Sequence, residues 1–165
     1  MQSAIEAAPS ENPIDLVENI FLSRSFDIER RAINEVVVEI QGKWNNMLLF
    51  FSWEDSMKCL HMSCLLDIKN NLMDRSKVFE LLALANENLW VGHFSYWTEQ
   101  NMPVFKHSIF LNYGEEFFEH KIAQMIDIAI KECERMYPVF KAVLTKGVSP
   151  SDALYPFMME TLGQA

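Results

Sequence analysis

The chain predicts an α+β domain: an antiparallel sheet of about five to six strands flanked by helices, ordered helix, four strands, helix, two strands, helix, helix. Three observations point to this. Apolar residues alternate with period two in short blocks between Phe26 and Leu66, and a short aromatic block begins at His93. Between those blocks, Val78 to Leu89 changes to helical spacing. A much longer helical stripe then runs from Phe118 to Tyr137. Strands gathered into blocks by short turns pair in opposite directions, because parallel neighbours need a crossover between them.

Residues 1–11 carry no stable pattern and are expected to be a frayed, disordered tail, leaving 12–165 as a single domain. Asn12–Pro13 has the form of a helix start, with Asn as the cap and Pro at the first helical position. Ile14, Val17, Ile20 and Phe21 make the apolar face, and the helix should end near Arg24. Phe26 and Ile28 open the first strand, and Asn34 marks a turn. Val36, Val38 and Ile40 then alternate with Glu35, Val37 and Glu39, a half-buried strand. Gly42 to Asn46 is the next turn, with Trp44 inside it. Met47 to Trp53 is almost wholly apolar and suits an interior strand covered on both faces. Leu60, Met62, Cys64 and Leu66 alternate with Cys59, His61, Ser63 and Leu65, completing a four-stranded meander.

The stretch from Val78 to Trp97 organises the remainder. Val78, Leu81, Leu82, Ala85 and Leu89 form one apolar stripe, and Phe79, Ala83 and Trp90 form a second beside it. A helix apolar over so much of its circumference is expected to be buried against more than one element. Gly92 is placed to end it, since glycine accepts the left-handed conformation of a C-cap. His93 to Trp97 restarts as a strand, and its hairpin extends to about Leu111, with Glu99 to Pro103 at the bend. Pro103 suits a bend and not the interior of a central strand. The long helix follows Gly114, should kink at Pro138, and stops at Gly147. Ser149 caps a final helix with Pro150 at its first position and Leu154, Phe157, Met158 and Leu162 on its apolar face. That helix should dock on the body or on a second copy of the chain.

Composition bounds the function. Half of the 165 residues are hydrophobic, which sustains a real core. The formal charge of −9 disfavours nucleic acid and anionic membrane surfaces as partners. The longest apolar run, Met47 to Phe51, is far too short to cross a bilayer. Cys59, Cys64 and Cys133 are odd in number and fit no zinc or redox spacing, and the first residues lack a secretory pattern. A cytoplasmic protein with free, mostly buried thiols is the expectation.

No constellation carries chemistry. The five glycines are scattered singly and form no phosphate cradle. Glu115, Glu116 and Glu119 at the start of the long helix suit its dipole. None of His61, His93, His107 and His120 sits in a helical metal-binding pair. His93 and His107 lie on the two arms of the second hairpin, where facing each other would allow a metal pair, although structural roles are the simpler expectation. Cys59 and His61 share a strand face, a spacing that arises readily by chance. No catalytic, metal or cofactor-binding residue is assigned, and no cofactor is expected.

What remains is surface. Trp44, in a turn with no core to enter, is a candidate partner contact, and so is whichever of Tyr96 and Trp97 faces away from the core. This favours a non-enzymatic protein-binding module working through an apolar groove or a sheet edge, with a protein partner and potential for homodimerisation. The alternative is a small-molecule sensor whose pocket, between the central helix and the sheet, is lined by Asn86, Trp90, His93 and His107. An enzyme is the least favoured class.

Several segments together carry a resemblance: NPIDLVENI, EVVVEIQGKW, FELLALANENLWVGHFSYW followed by Pro103-Val104-Phe105-Lys106-His107, and IKECERMYPVF. The chain resembles the YbjN family of bacterial proteins over roughly residues 12 to 162, and more narrowly its alphaproteobacterial branch, while having few glycines and many Asn, Lys and Met. The resemblance implies a regulator of sensory transduction. It also implies a fold similar to that of type III secretion chaperones, which act by binding protein.

Overall fold

The computed structural model describes residues 12–70, 75–112 and 118–162. The proposed tail 1–11, Gly114, Glu115, Glu116 and the side chains of Met158 and Leu162 fall outside the described residues. The order is α1 (Pro13–Ser23), β1 (Ile28–Ala32), β2 (Glu35–Gln41), β3 (Asn46–Glu54), β4 (Cys59–Leu66), α2 (Ser76–Glu87), β5 (His93–Trp97), β6 (Met102–Phe110), α3 (Phe118–Lys146) and α4 (Pro150–Leu162). This is the α+β arrangement that the periodicities predict, with every strand pair antiparallel.

Local chemistry sets the ends of α1. The Asn12 side chain accepts a hydrogen bond from the Ile14 N–H at 3.0 Å, and Pro13 occupies the first turn, where a missing N–H costs nothing. The first four strands form the expected meander, but the second hairpin joins it by its later strand, giving the sheet order β1-β2-β3-β4-β6-β5. β5 is therefore an edge strand and β6 an interior one.

That order places Pro103 inside β6 and not at the bend. The reason is positional. The β4–β6 ladder ends at Leu65 opposite Val104, one residue short of Pro103, so the proline sits past the last paired position with β4 and its missing N–H breaks no ladder pair there. Asn101 makes the bend instead, at φ 57, a conformation that Asn tolerates.

The helices cover one face of the sheet. Val36, Val38, Leu49, Phe51, Leu60, Met62, Cys64, Phe94 and Phe105 point to that face and form one core with α1, α2, α3 and α4. Phe94 packs edge-on to Phe105 at 5.2 Å and meets Phe140 of α3 at the same separation. The final helix docks on the body, through contacts with α2 and α3 and the buried Leu154.

The opposite face curls. Trp97 of β5 reaches Phe50 of β3, with ring centroids 5.5 Å apart, although β6 and β4 lie between them. Three strand spacings across and four residues along would separate their backbones by about 20 Å in a flat sheet. Twist and coiling bring the two corners together, making this face concave. Val104, Leu65, Val37 and Ser63 are buried on it without belonging to the helix-side core. Met47 to Trp53 is thus covered on one face by helices and half-covered on the other by its own sheet.

α3 continues as helix for 29 residues with Pro138 inside it and ends at Gly147, whose φ of 69 and N–H bond to the Val143 carbonyl make a left-handed stop. Among the described residues, no helix is long and apolar enough to cross a membrane.

Candidate functional site

α2 buries Val78, Leu81 and Ala85, as the first stripe requires. The second stripe is not buried. Phe79 is 51% exposed, Ala83 is exposed, and Trp90 is 100% exposed. The helix does pack against more than one element, namely α3, α4 and β5, but the second stripe stays outside those contacts. The helix also ends earlier than expected, with Asn88 at its C-cap, so Leu89 to Gly92 form a separate turn.

That turn is held at both ends. Asn86 donates from Nδ2 to the Phe94 carbonyl at 2.9 Å and accepts from the Phe94 N–H at Oδ1 at 2.7 Å. A single side-chain amide thus takes the place of a neighbouring strand at Phe94, on the outer edge of β5. Gly92 follows at φ 71, where a Cβ would lie 2.3 Å from Phe105 Cζ and 2.8 Å from the Lys106 carbonyl oxygen. Only glycine fits this approach. Leu89 packs against the core, and Trp90 and Val91 project from the fixed turn.

Trp44 contrasts with this. It is 50% exposed, but its Nε1–H donates to the Glu134 carbonyl at 3.0 Å, and its ring stacks on Tyr137 with planes 5° apart. In an unbroken helix the Glu134 carbonyl would accept from the residue four positions on, which is Pro138 and has no N–H. The Trp44 indole supplies the missing donor. The Lys43 N–H reinforces the join by donating to Glu134 Oε1 at 2.9 Å. Trp44 is therefore a clamp on α3 and is not available as the free anchor expected of it.

Of the other expected partner contacts, Tyr96 is buried, with its hydroxyl donating to Asn101 Oδ1 at 2.6 Å and its ring edge-on to Phe79. Trp97 is the outward member of the pair, spent against Phe50. The expected pocket does not assemble. Asn86 is committed to backbone, Trp90 stands in solvent, His93 is exposed opposite Lys106, and His107 is half-buried opposite Met62. Alternation puts His93 on the concave face and His107 on the helix face, so the two do not face each other as a metal pair. His61 does not pair with Cys59 either, because its ring nitrogens meet the Ser63 and Ser108 hydroxyls. Cys64 and Cys133 are buried thiols in contact across the β4–α3 interface, and burial first, then each other, push the Cys133 thiol well above its ordinary range. Such a thiol stays protonated and inert.

Sequence reasoning placed Trp90 on the helix stripe and in a pocket, and missed its full exposure on the turn. A cue existed: it lies three positions beyond the last helical residue, so the stripe that appeared to include it had already left the helix. What stands out among the described residues is the set of exposed apolar side chains Phe79, Ala83, Trp90 and Val91 on α2 and the turn after it.

A family model named YbjN, described as "Putative bacterial sensory transduction regulator", matches residues 13–142. No curated protein and no solved structure matches the chain.

Proposed function

This chain belongs to the YbjN family, and from that premise we propose that it is a non-enzymatic protein-binding module, acting as a regulator or chaperone through the exposed side of α2 and the turn after it. The observation that carries this reading is Trp90, wholly exposed on a turn pinned by Asn86 and Gly92. Tryptophan is a costly residue to leave in water, and a rigid one loses little freedom when a partner covers it. Phe79 adds an exposed aromatic side chain on the helix. Family membership supports a regulator, which works by contact. The resemblance to secretion chaperones is in keeping with a partner that supplies an apolar segment.

Pairing at a sheet edge is the less favoured mode. At β5 the Asn86 amide already occupies the Phe94 backbone. At β1 the strand is short and carries Glu29, Arg30 and Arg31, the charged design of an edge that resists pairing. The sensor reading loses its basis because its four residues do not converge.

The test pairs Phe79→Ser with Trp90→Ser in one variant. Both side chains are exposed, so the melting temperature should hold while partner capture, or self-association seen as a concentration-dependent mass, is lost. If the original chain and the variant retain the same partners and the same mass, the proposed surface is wrong.

A further inference from the structure

The concave face of the sheet holds a group of side chains that the α2 surface does not use. In register, Ser63 of β4 stands between Phe50 and Lys106, and His93 stands beyond Lys106. Two residues along the strands, His61 stands between Ser52 and Ser108. Alternation turns all of these to the concave side. His61 is locked in place, with Nδ1 2.8 Å from Ser108 Oγ and Nε2 3.1 Å from Ser63 Oγ, and Ser63 itself is buried. Lys106 is the diagonal neighbour of His61 across the β4–β6 pair, a separation of about 7–8 Å between backbones.

The charges here are not balanced. The ion pairs among the described residues use Arg24, Arg30, Arg31, Lys58 and Arg135, and Lys106 takes part in none of them. Along the His61 row a carboxylate is first met at Glu35, beyond Ser52 and two strands away. Glu54, opposite Cys59, is engaged with the Ser56 N–H and hydroxyl. Burial lowers the His61 pKa, and the charges of Lys106 and His93 lower it further. His107 lies behind the sheet, on the helix face. Among the described residues, Lys106, His93 and His61 thus stand together with no ion pair to a carboxylate.

We propose that this cluster is a binding site for a phosphate monoester. Lys106 and His93 supply positive charge from β6 and β5, and the exposed Ser108 hydroxyl supplies a directed donor. A neutral His61 ring uses one nitrogen as acceptor, holding one hydroxyl hydrogen for itself. The imidazolium donates from both nitrogens, so the exposed Ser108 hydroxyl is released to donate outward. A dianion on the concave face favours that state, whereas a monoanionic carboxylate would leave most of the repulsion in place. The inference does not rest on the protein-binding reading, since it concerns the other face of the sheet.

The test titrates the full chain with inorganic phosphate, phenyl phosphate and acetate at constant ionic strength, following the histidine ring proton resonances. Saturable shifts at His61 and His93 with both phosphates, a rise in the lowered His61 pKa, and silence at His120, exposed on α3, are the expected result. Lys106→Gln should weaken the phosphates about tenfold, the effect of one charge-assisted contact. His93→Gln, at an exposed position, should weaken them too, and stands in if Lys106→Gln does not fold. The proposal is overturned by a non-saturating response, by an equal response at His120, by acetate binding as tightly, or by affinity unchanged in a folded variant.

Discussion

Trp44, in the turn between β2 and β3, and Trp90, in the turn between α2 and β5, share a residue type and a loop address. Trp44 has its N–H on the Glu134 carbonyl and its ring on Tyr137. Trp90 is fully exposed, and its turn is fixed by other residues altogether. One tryptophan is the means by which a turn is held, and the other is what a held turn displays. Exposure alone counts both as exposed large apolar residues, at 50% and 100%, without saying why they differ. The distinction lies in where the indole N–H and ring face are already spent, and that points to Trp90 as the residue left for a partner.

The comparison breaks most readily at Gly92. If the Trp90 turn is rigid because the Phe105 ring and the Lys106 carbonyl close over Gly92, then Gly92→Ala must push β5 away from β6 or rotate the backbone out of φ 71. Overpacking and left-handed strain together should cost about 2–4 kcal/mol in chemical denaturation. A loss below about 0.5 kcal/mol, within the range of ordinary surface substitutions, would mean the turn yields easily and Trp90 is not pre-positioned.

A smaller effect tests the other turn. Trp44→Phe keeps a ring for Tyr137 but removes the donor to Glu134, and Pro138→Ala restores a backbone N–H to the same carbonyl. The two changes should therefore couple. Trp44→Phe should cost about 1 kcal/mol with Pro138 present and little in the Pro138→Ala background. Additive costs would separate the tryptophan from the proline and return Trp44 to the status of a free surface residue.

What was legible in the chain was what local chemistry decides. Asn12–Pro13 specifies the start of α1 on its own, and the alternation of Val36 to Ile40 and of Cys59 to Leu66 specifies which residues face the helices. The rest depended on partners distant in sequence. Phe79 and Ala83 look buried until it is known that α3 and α4 leave one flank of α2 open. Pro103 looks like a bend until it is known where the β4–β6 ladder ends. Trp44 and Pro138 each looked anomalous, and their link spans 90 positions between Trp44 and Glu134. Asking which group satisfies the Glu134 carbonyl would have raised the question, because a helical proline always leaves an acceptor unpaired four residues earlier. The concave-face cluster was out of reach for the same reason: it is set by the register of three strands.

The smallest effect carries the most information about function. Trp90→Ala removes the largest side chain from a turn in which that side chain is wholly exposed. Nothing in the fold depends on it: Asn86 bonds to Phe94, Gly92 sits beneath Phe105, and Leu89 packs on the core regardless. The change in unfolding free energy should therefore stay within about 0.5 kcal/mol of zero, and a slight gain would fit the removal of apolar area from water. A residue whose loss leaves the isolated chain as stable as before is held there by something other than the fold. If Trp90→Ala instead destabilises the chain by an amount comparable to Trp44→Phe, both turns are structural and the division between them disappears.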